Sequence, residues 1–290
     1  MDAATEVPAA PGTPDGGPTP PLADASPPPP FDAASPDAST DLDASTDAAV
    51  EAGTLDPDAS GDASVEDATV EGCDYPYVYD TLEGCRVLRV LVLNDAGTSN
   101  MVAKLESEGF AATDAGLYWE WPGTVEALSA VDTVLWLEGV QFGRALKPGV
   151  DALLASFVAA GGGLIRTEWS MYGDANPRTL GIMPVLRRGT GWGEARSWTV
   201  VAGDHPLTRQ LPETFDTVSG YTDLEPRANA TVVVRNDAGE PALSYTTEFG
   251  GVTVHVNDDV TYSRPGVDGD MLRVYFNAVH FSATGPSASR

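Results

Sequence analysis

Glu168 is the residue in this sequence best placed to do chemistry. It lies in GGGLIRTEW, Gly161 to Trp169, where a glycine turn feeds an apolar strand. In an open α/β sheet such a strand delivers its last residues to the carboxyl edge, where ligands bind. A carboxylate there can act as a general base, accept a hydrogen bond from a sugar hydroxyl, or pair with Arg166 or another arginine. Glu138 follows the apolar run Thr133 to Leu137 and is its natural partner at the same edge. Two such carboxylates can carry acid/base chemistry on a glycoside. His205, in GDHPLTRQLP (Gly203 to Pro212), titrates near neutrality and offers a proton shuttle, whereas Asp204-His205-Pro206 also reads as a capped turn with a structural side chain.

Flat rings surround these positions in the sequence: Trp119 and Trp121 in YWEWP, then Trp169, Tyr172 and Trp192, with Asn94 and Asp95 closing the first strand. Rings beside carboxylates suit stacking on a sugar face with hydrogen bonds to its hydroxyls; the plainer reading is that they cover the core beneath a loop. The candidate ligand set is Asp95, Trp119, Glu138, Glu168, Trp169, Tyr172 and His205, and the catalytic candidates are Glu168, Glu138 and His205. No Gly-x-Ser-x-Gly elbow, GxGxxG run or Walker loop occurs, so no cofactor is implied. Asp258, Asp259, Glu168 and His205 would bind a metal only if folding brought them together, and no metal is assigned. His255, in a strand, and His280, on the last helix, receive no role.

The elements that must position these groups alternate. Val87 to Asn94 is a nearly continuous aliphatic run, as expected of a central parallel strand buried on both faces. Val102, Leu105 and Phe110 recur at helical spacing after it, and Val125 to Val131 is a short helical pattern. Pro148 opens a helix that Gly161 to Gly163 stops. Residues 173 to 200 break the rhythm as an insertion with short strands such as Ser197 to Val201. Strands at Thr231 to Arg235, Leu243 to Thr247 and Val252 to Val256 follow, then a helix from about Asp268 to Phe281. The expected fold is a flavodoxin-like three-layer α/β/α sandwich with a mostly parallel central sheet and a β-rich insertion.

Composition divides the chain at Cys73. Residues 1 to 72 hold 16 of the 43 acidic residues and 12 of the 23 prolines, with no Lys or Arg and Phe31 as their one aromatic. Such a stretch buries too little apolar surface to offset its conformational entropy, so it is expected to be a disordered acidic linker. Repeated Asp-Ala-Ser units repel one another and Pro27 to Pro30 stiffen the chain, which suits a spacer. Residues 73–290 are expected to form one domain. Of the net charge of −27, the first 72 residues supply −16 and the rest −11. That sign disfavours nucleic acid and anionic lipid as partners. There is also no apolar run near 18 residues, so no transmembrane segment is expected.

Cys73 and Cys85, the only cysteines, bracket CDYPYVYDTLEGC. With no third ligand nearby they are expected to form a disulfide, stabilising by about 2–3 kcal/mol and implying an oxidising compartment; the plainer reading is two reduced surface thiols in a cytosolic protein. Met1-Asp2 is followed by no basic or apolar segment resembling a signal peptide. Because the Asp-Ala-Ser-Pro stretch resembles the spacer of a secreted bacterial lipoprotein, the expectation is an extracytoplasmic protein whose signal peptide and lipid-bearing cysteine lie upstream of the numbered start.

Three stretches together resemble the ThuA-like (trehalose-utilisation) branch of the class I glutamine amidotransferase-like superfamily, over roughly Val87 to Phe281. GGGLI at Gly161 to Ile165 is similar to the family's central strand, DHPLTRQLP at Asp204 to Pro212 to its Asp-His-Pro-Ile-Thr-x-Gly-Leu-Pro segment, and GGVTVHVNDD at Gly250 to Asp259 to its late strand. The resemblance implies a flavodoxin-like fold with the site at the strand ends. It also implies that amidotransferase chemistry is lost, because Arg166 to Ser170 contains no nucleophilic Cys, and Glu168 stands where ThuA-like proteins usually carry a His. The expected function is non-catalytic recognition of a small polar ligand or glycan. The alternatives are a hydrolase or sugar-processing enzyme using Glu168 with Glu138 or His205, and a structural envelope module. The sequence assigns no oligomeric state.

Overall fold

The computed structural model describes residues 78–81, 84–95, 100–139, 141–171, 173, 175–189, 196–217, 223–258 and 269–285, all within one compact unit, 63–290. The linker expected over 1–72 and the pairing of Cys73 with Cys85 lie outside the described residues, as do Tyr172 and Trp192.

A hairpin of β1 (Val78–Thr81) and β2 (Gly84–Val87) leads into β3 (Arg89–Asn94). Then follow α1 (Met101–Ser107), β4 (Ala111–Leu117), α2 (Val125–Ser129), β5 (Thr133–Trp136), α3 (Val150–Ala159) and β6 (Gly163–Thr167). A 3₁₀ turn (Glu168–Met171) and α4 (Pro177–Gly181) precede β7 (Val185–Arg187) and β8 (Arg196–Val200). The last part holds β9 (Thr214–Thr217), β10 (Leu224–Pro226), β11 (Thr231–Asn236), β12 (Pro241–Thr246), β13 (Thr253–Val256) and α5 (Gly269–Thr284).

Among the described residues, nine strands form one sheet in the order β4-β3-β5-β6-β13-β12-β11-β8-β9, and β7 pairs with β10 apart from it. The five strands from β4 to β13 are parallel, and β13 to β9 are antiparallel. The parallel half carries the apolar runs because helices cover both of its faces. On one face the row Val92, Leu135, Ile165, Val254 packs with Met101 and Leu105 of α1 and with α5. On the other, Leu91, Val134 and Leu164 pack with Leu128 of α2 and Val150, Leu154 and Val158 of α3. Each such side chain contributes about 1.5–3 kcal/mol by leaving water, and Leu154→Ala would cost about 2–5 kcal/mol. Among the described residues, no helix is long and apolar enough to cross a membrane.

The Gly161–Gly163 turn has a steric cause. Gly161 takes φ +104°, which ends α3 in a conformation that favours glycine. A Cβ on Gly163 would meet the Ser282 carbonyl oxygen at 2.5 Å and Thr133 Oγ1 at 2.6 Å, so α5 sits against the start of β6 only because this residue has no side chain. β4, with the sequence AATDAGL, lacks the aliphatic run of a buried strand because it is the sheet edge. Asn94 Nδ2 donates to Asp114 Oδ1 at 2.6 Å and ties it to β3.

Candidate functional site

The chain leaves β3 to form β4 on one side and β5 on the other, so the strand order reverses between β3 and β5. A sheet of this kind opens a crevice at the carboxyl ends of those two strands. Asp95, just past β3, is fully buried there. Its Oδ2 accepts from the amides of Gly139 (2.9 Å) and Gln141 (2.8 Å), while Oδ1 has no hydrogen-bond partner among the described residues. Tyr118, just past β4, donates from its hydroxyl to the Gln141 carbonyl at 2.7 Å and accepts from the Arg144 amide at 3.2 Å. Burial pushes its phenol well above the ordinary range, and the charge of Glu138 adds to this. Two side chains from neighbouring strand ends thereby hold the turn that leaves β5.

Glu138 is 1% exposed and accepts from Arg166 Nη2 at 2.7 Å. Glu138 was expected to partner Glu168; its partner is instead the arginine on the adjacent strand, whose guanidinium also lies 4.1 Å over the Trp136 ring. Arg166 Nη1 donates to Thr179 Oγ1, which itself donates to Asp151 Oδ1 at 2.7 Å. Asp151 of α3 further accepts from the amides of Arg178 and Thr179, capping α4 from outside, since Asn176 makes no side-chain cap. Burial raises the Glu138 carboxyl above its ordinary value; Arg166 pulls it back and Asp95 pushes it further up. The chain Asp151, Thr179, Arg166, Glu138 thus clamps the sheet edge to α3 and α4.

Glu168 opens the 3₁₀ turn and is fully buried, so the edge position expected for it is occupied by an interior carboxylate. Trp169 is 6% exposed and stacks on Phe142 with ring centres 4.5 Å apart. Trp119 is half-buried, with the exposed Arg144 guanidinium 4.4 Å over its ring. The structure therefore gathers Asp95, Glu138, Trp119 and Trp169 around the 138–144 turn, and adds Tyr118, Phe142, Arg144 and Arg166. Tyr118, Phe142 and Arg144 were not singled out in the sequence; the adjacency of Tyr118 to Trp119 was the available signal.

His205 is elsewhere. Its Nδ1 accepts from the Leu207 amide at 3.1 Å, capping a 3₁₀ turn (Pro206–Thr208), and its ring packs on Tyr245 and Phe281, each 5.0 Å away. Phe281 adjoins Ser282, whose hydroxyl meets Thr133 at the start of β5, so His205 sits toward the opposite end of the sheet from Glu168. Burial lowers its pKa. A pairing of Glu168 with His205 is not brought together. Asp258 is buried, accepting from Thr217 Oγ1 and from the Tyr275 hydroxyl, and Asp259 lies outside the described residues. Among the described residues no group of three or more His, Cys, Asp or Glu side chains converges as metal ligands do.

No family model and no curated protein sequence matches the chain. Solved structures do. A cytoplasmic protein of Salmonella typhimurium LT2 superposes with TM-score 0.54 at 17% identity, over 67% of this chain and 99% of that one. A ThuA-like protein from Parabacteroides merdae gives 0.53 at 12% identity, over 69% and 91%. Another from Bacteroides uniformis gives 0.50 at 13%, over 66% and 89%. With its switch point between β3 and β5 and these neighbours, the chain has the fold of the ThuA-like proteins.

Proposed function

We propose that this domain recognises a small polar ligand, with neutral carbohydrate as its class, at the carboxyl edge between β3 and β5, without turning it over. The observation that carries the reading is how the edge divides its labour. Glu138 is committed to buried Arg166 and one oxygen of buried Asp95 to two backbone amides, whereas the half-buried Trp119 ring lies under the exposed Arg144 guanidinium. Acids held this way rigidify a site, while a partly exposed ring with an exposed guanidinium suits stacking and hydrogen bonding to hydroxyls. Placement outside the cytoplasm, tethered through an upstream lipid, belongs to the same proposal and is supported by the spacer-like composition of residues 1 to 72.

A glycan array followed by calorimetry on the full chain tests the reading. Binding of a neutral saccharide without product is expected, and Trp119→Ala should weaken it by about 0.5–1.5 kcal/mol, the scale of one aromatic contact. Turnover of the saccharide, or no binding across the array, would refute it.

A further inference from the structure

The face of the sheet beneath α4 carries a polar row that runs from Arg166 away from its clamp on Glu138. Arg166 on β6 lies opposite His255 on β13, and His255 lies opposite Ser244 on β12. Trp136 on β5 continues the row on the other side of Arg166. All four are interior, between 0 and 1% exposed. Thr179 of α4 bonds to Arg166, and the Ile182 carbonyl accepts from Thr253 one step back along β13, so α4 and the residues after it close the row from outside.

Its hydrogen bonding does not close among the described residues. The two terminal nitrogens of Arg166 are used by Glu138 and Thr179, but Nε–H has no acceptor. Ser244 Oγ has no partner, nor has Trp136 Nε1, and neither His255 nitrogen makes a hydrogen bond of normal geometry. The Asn257 amide lies close enough to influence the charge of the His255 ring without completing that bond. The neighbouring row on the same face runs through Leu91, Val134 and Leu164 to Thr253, whose hydroxyl does have a partner, the Ile182 carbonyl. Buried polar groups left without partners cost about 1–3 kcal/mol each, and native interiors rarely keep several side by side.

We propose that Arg166, His255 and Ser244 enclose a site for one or two ordered water molecules. Arg166 Nε–H can only donate, while a neutral imidazole offers one N–H and one bare nitrogen. A water accepts from Arg166 and donates to the bare nitrogen of His255. A second shared with Ser244 completes the three or so hydrogen bonds that buried waters typically make. These waters hold the plane of the Arg166 guanidinium against Trp136 and Glu138, so the hydrated row props the carboxyl edge from below. The proposal is independent of what binds at that edge.

High-resolution crystallography of the full chain is the direct test. A density peak within hydrogen-bond distance of both His255 and either Arg166 Nε or Ser244 Oγ is expected. A ring of His255 bonded straight to Ser244 or Arg166, with no water between, would overturn the proposal. Water-17O relaxation dispersion on the same protein provides a second readout. The double variant His255→Leu, Ser244→Ala should lose at least one long-lived water relative to the unsubstituted chain, and an unchanged count would also overturn it.

Discussion

Asp132 and Glu138 stand at opposite ends of β5, both against arginine, and their environments drive them in opposite directions. Asp132, before the strand, accepts from Arg86 Nη1 at 2.8 Å and from the Arg89 amide at 2.8 Å, with the Arg89 guanidinium at 3.2 Å. Burial raises its carboxyl, but the combined bonds from Arg89 and Arg86 outweigh this and hold it below its ordinary 3.8. Glu138, beyond the strand, is more deeply buried and has one arginine, so burial wins and the carboxyl rises. An arginine neighbour alone therefore does not fix the sign; the number of donors set against the loss of water does. The amino end also bears a groove of about 560 Å³, lined by Val125, Leu128, Leu153, Phe157, Arg86 and Asp132, while the polar side chains of the candidate site lie at the other end.

The largest effect should come from Arg166→Met, which strands Glu138 in the interior and removes the bond to Thr179. A loss of about 3–5 kcal/mol in urea unfolding at pH 7 is expected, and a loss below about 1 kcal/mol would mean that the pair does not hold the edge. Next comes His255, whose ring burial holds down at about 3, with the Arg166 charge acting in the same direction and Asn257 pulling back. A histidine neutral when folded and protonated when unfolded costs stability as pH falls below the unfolded value near 6.5. The protein should lose about 1.4 kcal/mol per pH unit between about pH 6 and 4 relative to His255→Leu. Parallel curves for the two proteins would show that the ring is not buried neutral.

The two carboxylates themselves give a smaller and more discriminating test. Asp132→Asn should cost about 1 kcal/mol at pH 7. The part of stability that Asp132 supplies is present above about 3.8 and is lost as pH falls through its depressed folded value. Glu138 has the reverse sign: its raised carboxyl withdraws stability as pH rises from 4.5 through the folded value. Glu138→Gln should therefore flatten a fall in stability on the alkaline side of 4.5, and Asp132→Asn one on the acid side of 3.8. The same sign of change in both variants would remove the contrast between the ends of β5. The smallest effect belongs to Arg89→Ala, because the Arg89 side chain is 46% exposed and screened by solvent; less than about 0.5 kcal/mol is expected.

Much of the scaffold was legible from pattern. The strands around Val90, Leu135, Ile165 and Val254 and the helix through Leu154 follow apolar runs and helical spacing. β4 was not, since an edge strand of small and polar residues carries no such run, and α4 was not, since its N-terminal cap comes from Asp151 on another helix. At the site, the positions of Asp95, Glu138 and Glu168 at strand ends could be read, but their partners could not. Whether Glu138 faces Glu168 or Arg166 depends on the side to which each β-strand residue points and on the register between β5 and β6.

The sequence by itself determined the alternation of strands and helices, the stop at Gly161 and the residue types available at each strand end, because periodicity, glycine conformation and side-chain chemistry are local properties. Only the tertiary structure decided that His205 packs on Tyr245 and Phe281, that Arg166 lies between Trp136 and His255, and that the strand-end acids are interior. Those outcomes depend on strand order and register, which join residues far apart in the chain. Burial, the quantity that sets the charge and reach of each acid, exists only once those strands and their covering helices are together.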